Sequence, residues 1–107
     1  MESKKNGKKE RYAIIANRSW GLFAGVVGSV KTQADGTLAV EVSGCRHVAR
    51  WFGKTGGITS LAAHGLCGPR AGESRIGAPV TATLTGIVNI FDCSPAARAS
   101  IEAAVQS

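Results

Sequence analysis

The sequence predicts an α+β domain: a small, mostly antiparallel β-sheet of about five or six strands, with a short middle helix and a C-terminal helix. Three observations carry this. Glycine is abundant, 14 of 107 residues, and β-branched residues come in short runs, which favours strands and tight turns over long helices. Asp35-Gly36 lies between two apolar runs, a strong short-range hairpin signal. Ser94-Pro95 opens an alanine-rich stretch with the apolar spacing of an amphipathic helix.

The elements follow in order. Residues 11–17, RYAIIAN, are rich in strand formers, and RSWG then offers a turn. Residues 22–31, LFAGVVGSVK, form a second strand in which Gly25 and Gly28 mark bulges or close backbone contact. After the QADG turn, TLAVEVSG alternates Leu38, Val40 and Val42 on one face with Ala39 and Glu41 on the other. RHVARWFG is expected to continue as a further strand, ended by Gly53, Gly56 and Gly57. ITSLAAHGL then changes period: Ile58, Leu61 and Ala62 take helical spacing, with Thr59 or Ser60 as cap and Gly65 as stop. CGPRAGESRIGAP reads as a loop, and VTATLTGIVNIFD as one long strand or two bent about Gly86. The last helix, capped by Ser94, lines up Ala97, Ile101 and Val105.

This length is one domain, residues 12–107, preceded by a basic tail over 1–11. The net charge is +6, and the tail holds five cations against two acids, half of the surplus. A stretch so poor in apolar residues does not order itself, and its charge offers a route to nucleic acid. No apolar run is long enough to span a membrane, and no secretory signal pattern follows the basic start, so the chain is expected inside the cell. Three cysteines without a C-x-x-C pair fit reduced thiols.

The GKTGG stretch ends like a phosphate-binding loop but fails the pattern, because Val48 stands where the first glycine is required. A weaker feature remains. Glycine-rich backbone running into a helix presents unpaired N–H groups to an anion, and Arg46, Arg50, Lys54 and Thr55 lie beside it, with Arg70 and Arg75 further on. Trp51 either packs in the core or forms a stacking wall next to these cations. These seven residues are the candidate site for a small, nucleotide-like anion. Cys45, His47, His64 and Cys67 form an alternative set of zinc-ligand type, in two close pairs that match no usual zinc spacing. No resident metal or cofactor is expected otherwise.

Enzyme motifs are absent: there is no Gly-x-Ser-x-Gly elbow and no His-Glu-x-x-His, and acids are few. The sequence therefore points to a binding protein that is not an enzyme. Nucleic acid is a rival ligand, given a pI near 9.7 and Trp20, Phe23, Trp51 and Phe52 as candidate stacking groups.

Five segments in order, GLFAG (21–25), CRHVARWFG (45–53), ITSLAAHG (58–65), ESRIGAPV (73–80) and CSPAARASIE (93–102), resemble a family of small phage- and prophage-encoded proteins. That family carries a G-V-F-A-G strand, an A-R-R-L-W-Y-W strand, an S-L-S-Q-L-A helix and a closing C-T-E-K-A-K-x-S-I helix. Gly21, Phe23, Gly25, Arg46, Trp51, Gly53, Leu61, Gly65, Cys93, Ala97 and Ile101 fall on the pattern, while His47, Ala49 and Arg50 depart from it. The resemblance implies a phage protein acting in the cytoplasm of an infected bacterium, or in the virion. Two roles follow from that setting: an anti-defence binder that sequesters a nucleotide-type host immune signal, or a virion part (capsid decoration) or nucleic-acid-binding accessory protein. A deep pocket in so small a domain is most easily built between subunits, so a homo-oligomer is expected.

Overall fold

The computed structural model of the protein describes residues 10–18, 21–54 and 57–106. The tail over residues 1–9, Trp20 and Thr55 fall outside these. Among the described residues five strands and two α-helices follow one another: β1 (Arg11–Asn17), β2 (Gly21–Thr32), β3 (Leu38–Arg50), α1 (Ile58–His64), β4 (Arg75–Ile76), β5 (Val80–Asp92) and α2 (Pro95–Ala103), with a 3₁₀ turn (Ala71–Glu73) before β4. The class is α+β, as the sequence predicts, and every strand pairing is antiparallel.

The pairings close a ring. β1 lies between β2 and β5, β5 pairs onward with β3, and β3 returns to β2, while β4 adds to the outer edge of β3. With neighbours on both edges and cover on both faces, β1 buries Tyr12, Ala13, Ile14, Ile15 and Ala16. Its even residues join Leu22, Ala24, Val48, Leu61, Ile76 and Ile101 beneath the helices, and its odd ones join Val40, Val42, Cys45 and Ile87 inside the ring. Each isoleucine removed from water here stabilises the fold by about 1.5–3 kcal/mol.

Long strands wrap this far only by bending, and they bend at bulges. The register of β2 against β3 shifts between Ala24 and Val26 and again between Val27 and Val30, which places Gly25 and Gly28 at both shifts. At Gly25 a side chain would meet Val42 at 2.5 Å and the Ser43 carbonyl at 2.9 Å, so β3 crosses there without room for a Cβ.

Several expectations are corrected. Residues 45–50 are not a separate strand but the second half of β3, carried past a register shift between Val42 and Cys45. The stretch read as a loop after Cys67 contains the 3₁₀ turn and β4, whose two residues pair with β3, with a bridge from Ile76 to Gln106. The cap of α1 is Gly57 rather than Thr59 or Ser60, which lie inside its first turn. Two residues before Tyr12 join the described fold: Arg11 opens β1 and pairs with Asp92, and Glu10 reaches Arg98 at 2.6 Å.

The helices are fastened to each other. Ser94 accepts from the Ala97 N–H at 3.0 Å, as a cap should, and also donates its hydroxyl to the Ala63 carbonyl of α1 at 2.7 Å. Neither helix is long and apolar enough to cross a membrane.

Under α2, the Tyr12 hydroxyl is buried with no hydrogen-bond partner among the described residues. Burial pushes its pKa from 10.0 up to about 12, helped by the nearby Glu102 carboxylate and Cys93. An acid harder to ionise when folded favours the native state below its unfolded pKa, so this contribution declines as pH rises from 10.0 to about 12. Burial likewise raises Cys93 from 9.0 to about 11, and its share declines from pH 9. Tyr12→Phe is therefore expected to stabilise the protein by about 1 kcal/mol at neutral pH, because an unpaired buried hydroxyl is removed. It should also flatten the alkaline limb above pH 10 while leaving the Cys93 step. Urea titrations across the alkaline range read both effects.

Candidate anion-binding cleft

Six of the seven candidate residues are described, Thr55 lying outside the described residues, and they separate into a cluster, a structural cation and outliers. Arg46 is a correction to the expected site. Its side chain is turned inward, 5 % exposed, and its guanidinium donates to the Gly77 carbonyl at 2.7 Å and the Ile101 carbonyl at 2.8 Å, with longer contacts to Glu102 at 3.4 Å and Ile76 at 3.5 Å. A guanidinium carries five N–H donors in a fixed fork, and four contacts here go to the end of α2, to β4 and to the loop after it. Buried in this way, it fastens the fold instead of facing a ligand.

Arg50 is the opposite case. Two residues along the strand from the buried Val48, it would point inward by simple alternation, but the register of β3 against β4 shifts between these positions and Arg50 is exposed. Its cross-strand partner is Arg75. Two like charges placed opposite one another repel, and together with Gly72, Glu73 and Ser74 they line a cleft of about 320 Å³.

Phe52 is the hub behind this cleft. The guanidinium of Arg70 sits 4.1 Å from its ring centre and that of Arg50 at 5.3 Å, both within cation–π range. The Phe52 N–H donates to the Ser74 hydroxyl at 3.0 Å, which fixes that oxygen at the floor of the cleft and leaves its proton free to donate. Arg70 grips Glu73 through two contacts of 3.0 and 3.2 Å. Hydrogen bonding from Arg70 holds the Glu73 carboxyl below its ordinary pKa, with the Arg70 and Arg50 charges adding. Arg70 and Arg50 thus both act on the Glu73 carboxylate, and Arg75 lines the same cleft as Arg50 and Glu73.

Lys54 is exposed on the bend after Gly53 and does not line the cleft. Trp51 faces elsewhere: half-buried against the helix-side core, it lines a separate cavity of about 470 Å³ with Leu22, His47, Val48 and Ile58. Its indole N–H is buried and has no acceptor among the described residues. Arg50, Arg70 and Arg75 are therefore brought together, whereas Arg46, Trp51 and Lys54 are not among them.

The alternative zinc set is not assembled. Cys45 is buried inside the ring, His47 lies exposed with its ring 5.2 Å from Phe23, and His64 and Cys67 flank the end of α1. Among the described residues no three His, Cys, Asp or Glu side chains converge on a metal position. Burial raises the pKa of the Cys45 thiol, which opposes the thiolate that zinc requires.

Sequence reasoning missed Phe52, Glu73 and Ser74 as parts of the cleft. The Arg70-to-Glu73 spacing of three, an ion-pair spacing on a helical turn, was the one local signal for Glu73; Ser74 has none.

Comparisons with known proteins give a family and no activity. No curated protein and no solved structure matches the chain. A family model described as a domain of unknown function, DUF6948, matches residues 10–101. That span takes in all the described strands and the cleft and runs into α2: the chain belongs to the DUF6948 family.

Proposed function

We propose that the protein is a phage-encoded, non-enzymatic binder that sequesters a nucleotide-type anion of the host, an immune signal in the cytoplasm of the infected bacterium, in the cleft between β3 and β4. The observation that carries this reading is the exposed Arg50–Arg75 cross-strand pair. Juxtaposed guanidiniums cost stability when empty and are neutralised by a phosphate between them, to which each can present paired N–H donors. The Ser74 hydroxyl supplies a further donor, and Phe52 a ring that already accepts planar cations and sits beside the same space. The phage setting rests on the segment resemblance described above.

Thermal stabilisation by cyclic dinucleotides and ADP-ribose derivatives tests the reading. A ligand at 100 times its Kd adds about 2.7 kcal/mol to stability, and Arg50→Ala and Arg75→Ala are each expected to weaken binding at least about tenfold. Lys54→Ala, outside the cleft, should leave it unchanged. Absence of any shift with these anions, or equal binding by the Arg50→Ala and Arg75→Ala proteins, overturns it. Salt-sensitive binding of random DNA that disappears when residues 1–9 are removed would assign the basic surplus to nucleic acid instead.

A further inference from the structure

The ring of strands leaves one side of β5 open. Residues 80–84 pair with β3 alone, from Val80 opposite Cys45 to Leu84 opposite Val40. On their other side β1 has already ended: its last partner on β5 is Ile87, the Arg18 N–H takes the Gly86 carbonyl, and the Asn17 amide takes that of Thr85. Beyond that, among the described residues, nothing pairs with the backbone of residues 80–84.

An open strand edge is a template for another strand, and monomeric proteins guard such edges with charge, proline or a covering segment. Two other open stretches among the described residues are guarded by charge: the part of β2 beyond Val27 carries Lys31, and β4 carries Arg75. The edge of β5 has no such guard. From residue 79 to 91 there is no charged side chain, and no proline follows Pro79. Val80 is 56 % exposed, and Thr81 and Thr83 are exposed with it. On a chain of net charge +6, a neutral strip is where a like-charged copy approaches at least cost.

We propose that the open edge of β5 is the pairing surface for a second copy of this chain, joined antiparallel across a twofold axis at Ala82. That register sets Thr81 opposite the partner subunit's Thr83 and Val80 opposite the partner subunit's Leu84. Threonine pairs and aliphatic pairs are both favourable across antiparallel strands, and an isologous contact closes after two copies. The inference is independent of the cleft and stands if no anion binds there.

Charge exchange at the edge tests it by sedimentation velocity. The wild-type protein is expected as a dimer that dissociates on dilution. Thr81→Lys/Thr83→Lys and Thr81→Glu/Thr83→Glu are each expected to run as 11.0 kDa monomers with native circular dichroism, since both side chains already face water. Mixing the two variants should restore the dimer, because lysine then meets glutamate at both cross-strand positions. A wild type that stays monomeric at every concentration overturns the proposal. So does a dimer that survives either double substitution, or a mixture that remains monomeric.

Discussion

Replacing Arg46 with methionine is expected to destabilise the protein by about 2–4 kcal/mol, the sum for leaving two well-bonded buried carbonyls without their donors. Methionine fills a similar volume, so the loss is not chiefly a cavity. It comes from the carbonyls of Gly77 and Ile101, which lose their guanidinium donors in a place water does not reach freely, and each stranded buried acceptor costs about 1–3 kcal/mol. The carbonyl ends of α2 also carry the negative pole of that helix, which a cation is well placed to neutralise. Arg46→Lys should recover only part of the loss, since a point-like ammonium cannot span the loop after β4 and the helix end at once. The urea midpoint should fall with an unchanged slope, and added salt should barely alter the difference, because a buried interaction is weakly screened. An unaltered midpoint in Arg46→Met would show that the side chain lies in solvent.

Gly65→Ala is expected to cost about 3 kcal/mol or more, from two sources that add. Gly65 ends α1 at φ 74° and ψ −158°, a region held almost entirely by glycine and worth about 1–3 kcal/mol of strain for any other residue. A Cβ there would also come within 2.8 Å of the Ala97 Cα and run into the Ser100 hydroxyl. Ser100 cannot simply swing away, because it accepts from the Leu66 N–H at 3.0 Å and donates to the Ala97 carbonyl at 2.9 Å. The helices must part, and overpacking of this kind adds about 1–3 kcal/mol. In a domain this small the melting temperature should drop by more than about 10 °C. Hydrogen exchange should quicken first in α1, the shorter helix.

What could be read from the sequence was what is decided within a few residues. Ser94 and Pro95 start a helix wherever they occur in that order, and Asp35-Gly36 turns a chain because the Asp35 carboxylate takes the Thr37 N–H at 3.0 Å and its hydroxyl at 2.7 Å. β4 was not legible, since two residues become a strand only because β3 runs beside them. The site was legible in composition and not in arrangement. Arg46 and Arg50 look alike in sequence, four residues apart on one strand. The Gly77 carbonyl and the end of α2, 31 and 55 residues away, claim the first, and a register shift turns out the second. The convergence of Arg70 and Arg75 on Arg50 likewise depends on a cross-strand register that no local pattern encodes.

The placement of β1 sets an order of events at the ribosome. One of its edges is matched soon after it is made, by residues 21–27, whereas the other is matched only by residues 87–92, much later in the sequence. A nascent chain therefore holds Ile14 and Ile15 only partly covered until residues 87–92 have emerged. Over that interval the growing polypeptide is a natural client for a holding chaperone.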